Sequence, residues 1–318
     1  MSLTPYLQTV ARGKTRGRAL SFDEAKAAMT LMLTGEAQPE VTTALLMVLR
    51  VRGETPEEIA GFTAALRDST AVLHGAFDLD WPCYAAGRAR GAPLFLLAAK
   101  LVTHAGHRVL LHGWNSHQGS NASIRAQLDQ LNIPLEDQSA PITYMPLETL
   151  SPKALELLRL REVLGLRSCV NTVLRMWNPS DARASVQGVF HPVYRGLQAE
   201  AAKVLGQTSL TVIKGGGGEF ERNPGKAAAL FGLRKGDFLK DQAPELMPEA
   251  QRLLNPDTHY DPQRVWLGQD QDAFAVQTVI GTAALALWTL DDGLSVAEAE
   301  AQAKALWDAR HDQERQSA

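Results

Sequence analysis

The chain reads as an α/β protein with a small N-terminal all-helical domain and a larger α/β domain on a mostly parallel sheet. Three observations predict this. The first seventy residues carry helix start and stop signals and no strand texture. Beyond Leu73, short apolar runs alternate with helical segments, the pattern of strand–helix–strand crossovers. At 318 residues the chain can bury a full core in one large and one small domain. The expected division is 1–72, a helical domain suited to dimerisation, and 73–318, the α/β domain.

Taken in order, Ser21-Phe22-Asp23-Glu24 is a capping box, and the helix it opens stops near Gly35. Pro39 to Arg52 is a second helix with Leu45, Leu46, Val48 and Leu49 apolar, ending at Gly53. Thr55-Pro56-Glu57-Glu58 opens a third, with proline at the first helical position. Strands are expected at 108–112, 185–190 and 209–213, and helices at 93–105, 121–131, 151–163 and 192–205. The end returns to helix over 273–290, and Ser295 with Glu298 caps a last one running to about Arg310. The polar, proline-containing stretch 225–259 reads as linker.

Apolar residues make up 45% and charged residues 21%, ordinary for a soluble globular chain. A net charge of −3 argues against a polyanion partner on global grounds, but the charge is unevenly placed. Residues 1–18 hold Arg12, Lys14, Arg16 and Arg18 and no acid, whereas the chain beyond Asp237 is acid-rich. The two cysteines, Cys83 and Cys169, have no metal-ligand spacing and suggest a reducing compartment. No apolar run is read as membrane-spanning and no signal-peptide pattern opens the chain, so a cytoplasmic protein is expected.

The stretch Tyr84–Gly119 carries the first candidate chemistry. Two glycine-containing loops flank a strand–helix unit, a layout that presents backbone amides to an anion. No acid occurs between Asp80 and Asp129, while Arg88, Arg90, Lys100, Arg108 and Arg125 fall inside that interval. In the first loop, Gly87 and Gly91 would let backbone approach a phosphate and Arg88 and Arg90 would add forked donors; a solvated surface loop is the alternative. The second loop offers His112, Gly113, Asn115, Ser116 and Gln118, with Trp114 as stacking platform or core residue. Lys214 is followed by four glycines and then Glu219-Phe220-Glu221, which suggests backbone access or a mobile flap, with carboxylates able to hold Mg²⁺. Arg159, Arg161 and Arg167, with Asn171, could hold a carboxylate or phosphate, or the arginines could cap a helix C-terminus.

In order and spacing these segments resemble the anthranilate phosphoribosyltransferase family, glycosyltransferase family 3, over nearly the whole chain. The resemblance rests on residues 31–37 and 44–62 in the helical part, 161–179 in the centre and 211–221 after the third strand. It implies a fold of the nucleoside phosphorylase and phosphoribosyltransferase type, a homodimer formed through the helical domain, and phosphate-binding loops. It also implies magnesium as the cofactor. By resemblance, Arg161 matches the arginine that holds the anthranilate carboxylate, and Glu221 is the remaining member of a magnesium-binding Asp-Glu pair whose first position is Phe220.

The departures shape the expected function. The family's Gly-Thr-Gly-Gly-Asp loop reads Ala85-Ala86-Gly87-Arg88-Ala89-Arg90, and its Lys-His-Gly-Asn-Arg motif reads Leu111-His112-Gly113-Trp114-Asn115. Losing a carboxylate and a glycine loop removes stabilisation of the departing pyrophosphate, so ordinary anthranilate transfer is not expected. The chain is also similar to the divergent YbiB-like branch of the family in Ala11-Arg12-Gly13-Lys14, in Pro82-Cys83-Tyr84 and in Asn223-Pro224. That likeness implies non-specific nucleic-acid binding, with Arg12, Lys14, Arg16, Arg18, Arg88 and Arg90 tracking phosphates. The alternative is an active glycosyltransferase, performing phosphoribosyl transfer with a changed acceptor or donor.

Overall fold

The computed structural model describes residues 2–13, 16–71, 73, 77–84, 91–114, 123–248 and 260–317, with side chains of the last helix described to 311. Four helices open the chain: α1 (Thr4–Ala11), α2 (Phe22–Leu33), α3 (Pro39–Arg52) and α4 (Pro56–Asp68). Both capping boxes form, Ser21 with Glu24 and Thr55 with Glu58. The sequence signals mark only the last three helices, because α1 has no side-chain cap and buries only Val10. Glu58 does more than cap. Fully buried, its carboxylate accepts from Leu20 N at 2.8 Å, Thr55 N at 2.9 Å and Arg52 Nη2 at 2.5 Å. One carboxylate thereby ties together the approach to α2, the end of α3 and the start of α4.

The α/β part holds α5 (Phe95–His104), α6 (Arg125–Leu128), α7 (Leu147–Leu150), α8 (Pro152–Leu164), α9 (Val170–Arg175), α10 (Tyr194–Val204), α11 (Pro262–Trp266), α12 (Ala273–Leu290) and α13 (Val296–Ser317). Its strands are β1 (Leu79–Cys83), β2 (Val109–Gly113), β3 (Ile142–Pro146), β4 (Ala184–Val189), β5 (Ser209–Lys214), β6 (Ala228–Arg234) and β7 (Asp237–Ala243). They form one sheet in the order β3-β2-β1-β4-β5-β6-β7. The first five run parallel, and β6 and β7 join antiparallel. Strands β1 to β4 are buried at every residue, as expected where helices cover both faces of a parallel sheet.

Two sequence expectations change. The stretch 225–259, read as linker, contains the β6–β7 hairpin in its described part. It escaped notice because β7 is an edge strand, exposed or half-exposed at every residue but Ala243, so no apolar alternation marks it. Contrary to the reading of the apolar runs, α12 is long and apolar enough to cross a membrane by length and composition. Yet 83% of it is buried inside the protein, against α5, α13, β4 and β5, so it serves as a core helix.

Two apolar clusters hold the molecule. One joins the sheet to α5, α12 and α13 through Trp81, Phe95, Phe220, Trp266 and Trp307. The other joins α2, α3 and α4 to α8, α9 and the inner side of α10 through Leu45, Phe62, Leu158, Val173, Trp177 and Ala201. The helical layer thus draws on residues near 150–177 as well as on the N-terminus.

Candidate functional site

Strand order reverses between β1 and β4, the switch point where open parallel sheets place ligands beyond their carboxyl ends. The geometry there is marked. β1 and β2 pair over five positions and β4 and β5 over six, but β1 and β4 pair only at Leu79–Ala184 and Asp80–Ser185. Beyond Asp80 the two strands are no longer paired, at the place where such sheets form a ligand crevice.

A buried polar chain lines its floor. Ser185 Oγ donates to Asp80 Oδ2 at 2.9 Å, and His112 Nε2 stands 3.0 Å from Asp80 Oδ1, off the line of a good hydrogen bond. Tyr84 Oη meets His112 Nδ1 at 2.9 Å. Burial, and then the fields of Tyr144 and Asp80, hold the Tyr84 phenol far above its ordinary pKa, so it stays neutral. With Tyr84 as donor, the ring proton of His112 sits on Nε2, toward Asp80. His112 is wholly buried, so its ring braces the strand ends and does not face an anion in the crevice, as the sequence reading expected. Gly113 also has an internal reason: a Cβ there would fall 2.1 Å from Cys83 O of the neighbouring strand. Gly91, at φ 82°, takes the left-handed conformation that favours glycine. Gly87, Arg88, Arg90 and Asn115 lie outside the described residues.

The glycine run after β5 is neither open nor flap-like. Gly216, Gly217 and Gly218 are buried in a 3-10 turn. A Cβ on Gly215 would meet Glu219 O at 1.7 Å, and one on Gly188 would meet Glu219 C at 2.0 Å. Glycine is needed because two backbone segments touch. The turn buries Glu219, Phe220 and Glu221 together. Phe220 packs edge-on against Trp81, with centroids 5.4 Å apart. Glu221 Oε2 accepts the backbone N–H of Phe95, the first residue of α5, at 2.9 Å. A carboxylate at a helix N-terminus is favoured by the dipole as well as by the hydrogen bond.

Magnesium fits this arrangement only in part. Among the described residues no cluster of three His, Cys, Asp or Glu could hold a metal ion. Glu221 already serves α5, and Phe220 offers no ligand. An ion here would draw most of its six oxygens from water and a phosphate, the usual habit of Mg²⁺.

Arg161 lies in the last turn of α8, half-buried, with its guanidinium 5.9 Å from the Trp114 ring centre. Asn171 is elsewhere. It lines a cavity of about 90 Å³ between α3, α9, the end of β4 and the start of α10. Three arginines share that cavity: Arg50, Arg167 and Arg175. Burial, then repulsion from Arg161, Arg175 and Arg50, lowers the Arg167 pKa to about 10. Asn171 Nδ2, Arg175 Nη2 and both amide atoms of Gln198 are buried without a hydrogen-bond partner. Leaving such groups unmet costs about 1–3 kcal/mol each. Sequence reasoning missed Arg50, Arg175 and Gln198. The spacing of Asn171 and Arg175, one helical turn apart, was the available signal.

The N-terminal arginines divide. Arg18 is committed to Glu24 through two hydrogen bonds, at 2.6 and 2.7 Å. Arg12 and Arg16 are exposed and make no ion pair among the described residues. Lys14 lies outside them.

With this geometry in view, comparison with known proteins is informative. Residues 5–70 match the family model described as "Glycosyl transferase family, helical bundle domain". The chain is 30% identical over 213 residues to an anthranilate phosphoribosyltransferase from Bacillus caldotenax, covering 63% of this chain and 86% of that protein. It spans less than two thirds of some other relatives, 61% of the Geobacillus kaustophilus enzyme for example. The fold is similar to the crystal structure of anthranilate phosphoribosyltransferase from Thermus thermophilus, with a TM-score of 0.79, 23% identity, and coverage of 96% of this chain and 94% of that one. It is also similar to the Saccharomyces cerevisiae protein in complex with PRPP and Mg, with a TM-score of 0.73, 14% identity, and coverage of 96% and 93%. Helical bundle, mixed sheet and sequence identity agree: the chain belongs to the anthranilate phosphoribosyltransferase family.

Proposed function

We propose that this chain is a phosphoribosyltransferase-type protein that takes a phosphorylated ligand in the switch-point crevice, with a donor or acceptor different from the family's usual pair. The end of β1–β4 pairing beyond Asp80 and Ser185 carries this reading, because it falls where ligands sit in such sheets. Ordinary anthranilate transfer is disfavoured by the site's acids. Phe220 fills one carboxylate position and Glu221 caps α5, so little is left to neutralise a departing pyrophosphate. The yeast relative holds PRPP and Mg, and the same pair is the natural probe here. Thermal unfolding with and without phosphoribosyl pyrophosphate, pyrophosphate and Mg²⁺ tests the reading. A ligand at a hundred times its Kd stabilises by about 2.7 kcal/mol. No shift with any combination would refute it.

A second reading, non-specific nucleic-acid binding in the manner of the YbiB-like branch, is favoured by exposed Arg12 and Arg16, which lack acidic partners among the described residues. The log of affinity for DNA should then fall linearly with the log of salt concentration, by about 0.9 per phosphate contacted. The double variant Arg16→Glu/Arg88→Glu should abolish binding at low salt; unchanged affinity would dismiss this reading. A homodimer through the helical part belongs to the same proposal, and sedimentation of the full chain would test it.

A further inference from the structure

Among the described residues, the cavity between α3, α9, the end of β4 and the start of α10 is lined by none of Asp80, Tyr84, His112, Ser185 and Glu221. We propose that it is a second binding site, specific for a compact dianion of the phosphate-monoester class carrying an apolar or aromatic group.

Charge argues first. Arg50, Arg167 and Arg175 reach the cavity from three different elements, and no carboxylate is among its lining residues. The fields of Glu54 and Glu219 touch Arg50 and Arg175, yet among the described residues no acid forms an ion pair with any of the three arginines. Three guanidiniums gathered in this way repel one another, and an anion that accepts from all three removes that cost. A doubly charged phosphate, with three accepting oxygens, suits forked donors better than a single carboxylate does.

Hydrogen bonding argues independently. Arg175 is 5% exposed and Asn171 6%, and Gln198 is wholly buried; all three line the cavity. Among the described residues, the donors Arg175 Nη2, Asn171 Nδ2 and Gln198 Nε2 have no partner, nor does the acceptor Gln198 Oε1. Arg175 Nη1 makes only a long contact, 3.5 Å, to Asn171 O. Buried donors so placed are ordinarily satisfied, and a ligand oxygen would satisfy them. The remaining wall is apolar and aromatic: Val189, Phe190 and Tyr194.

The test uses the full chain and calorimetric titration with ribose 5-phosphate, phenyl phosphate and inorganic phosphate. Arg50 is exposed, Arg167 partly so, and neither is ion-paired, so Arg50→Ala and Arg167→Gln should fold normally, as circular dichroism would confirm. Each should weaken phenyl phosphate binding roughly tenfold, and together about a hundredfold, the scale of one lost charge-assisted contact apiece. Phenyl phosphate should bind more tightly than inorganic phosphate. Glu221→Gln, at the crevice, should leave phenyl phosphate binding unchanged, so a failed crevice and a failed cavity are distinguishable. Wild-type affinity in the double variant, no phenyl phosphate binding by the wild type, or no preference for phenyl phosphate over inorganic phosphate would overturn the proposal.

Discussion

Glu221 offers the sharpest test of how this site is built, because a helix-capping role and a ligand-binding role predict opposite outcomes. Three of the first four amides of α5 have backbone partners: Leu96 N to Pro93 O, Leu97 N to Leu94 O and Ala98 N to Leu94 O. Phe95 N is bonded to Glu221 Oε2, and Phe95 is wholly buried, so water cannot replace that oxygen. Glu221→Ala would leave a buried N–H unmet, costing about 1–3 kcal/mol. It would also lose the charge–dipole term, about 0.3–1 kcal/mol and more where partly buried. The sum is about 1–4 kcal/mol. Glu221→Gln keeps an acceptor oxygen and loses mainly the charge, so about 1 kcal/mol is expected. At about 2–4 °C per kcal/mol for a large domain, the alanine variant should lower Tm by roughly 3–16 °C and the glutamine variant by a few degrees. Differential scanning calorimetry reads both. If Glu221→Ala matched or exceeded wild-type stability, while magnesium-dependent ligand stabilisation vanished, the capping argument would be wrong and Glu221 would be a ligand residue first.

The other predictions follow from packing and pairing. Gly188→Ala places a Cβ on the Glu219 backbone and should destabilise by at least the 1–3 kcal/mol typical of overpacking, or disorder the turn after β5, as urea titration would reveal. Glu58→Ala takes the acceptor from exposed Arg52 and from the amides of Leu20 and Thr55, and should cost about 1–3 kcal/mol for each amide left unmet, read by denaturant unfolding. Hydrogen bonding to Arg18, then to the Ser21 backbone, lowers the Glu24 pKa to about 2. Its folded pKa lies below its unfolded one, so the stability it contributes is full above about pH 4.5 and is lost as pH falls toward 2. Arg18→Gln should flatten that acid limb of a Tm-versus-pH curve; an unchanged limb would rule the pair out as its source.

Much of the fold could be read locally. Capping boxes at Ser21 and Thr55, first-turn prolines and alternating strand and helix texture all act within a few residues, and each appears where it was read. Strand and helix bounds agree closely for β2, β4, β5 and α12. The β6–β7 hairpin was less legible, since an exposed edge carries no apolar period. So were the surroundings of α12, whose uniform apolarity signals burial without saying in what. At the site, the residue types were visible but their roles were not. The glycines after Lys214 looked like access for a ligand; Gly215 instead lets the turn close on Glu219, and Gly188 of β4 lets that turn lie against the strand. His112 looked like a phosphate contact; its ring is held between Asp80 and Tyr84.

By itself, the order of residues determined the helical start, the α/β alternation, the excess of positive charge near the first loops and the likeness to a phosphoribosyltransferase family. These depend on periodicity, turn chemistry and composition, all of which are written along the chain. Only the tertiary structure decided which groups meet. It brought Arg50 to one cavity with Arg167 and Arg175, which follow it by more than a hundred residues, and it set Glu221 on the first amide of α5. The reason is physical: hydrogen bonds and desolvation act over a few ångströms in space, and chain order does not state which distant segments will close to that distance.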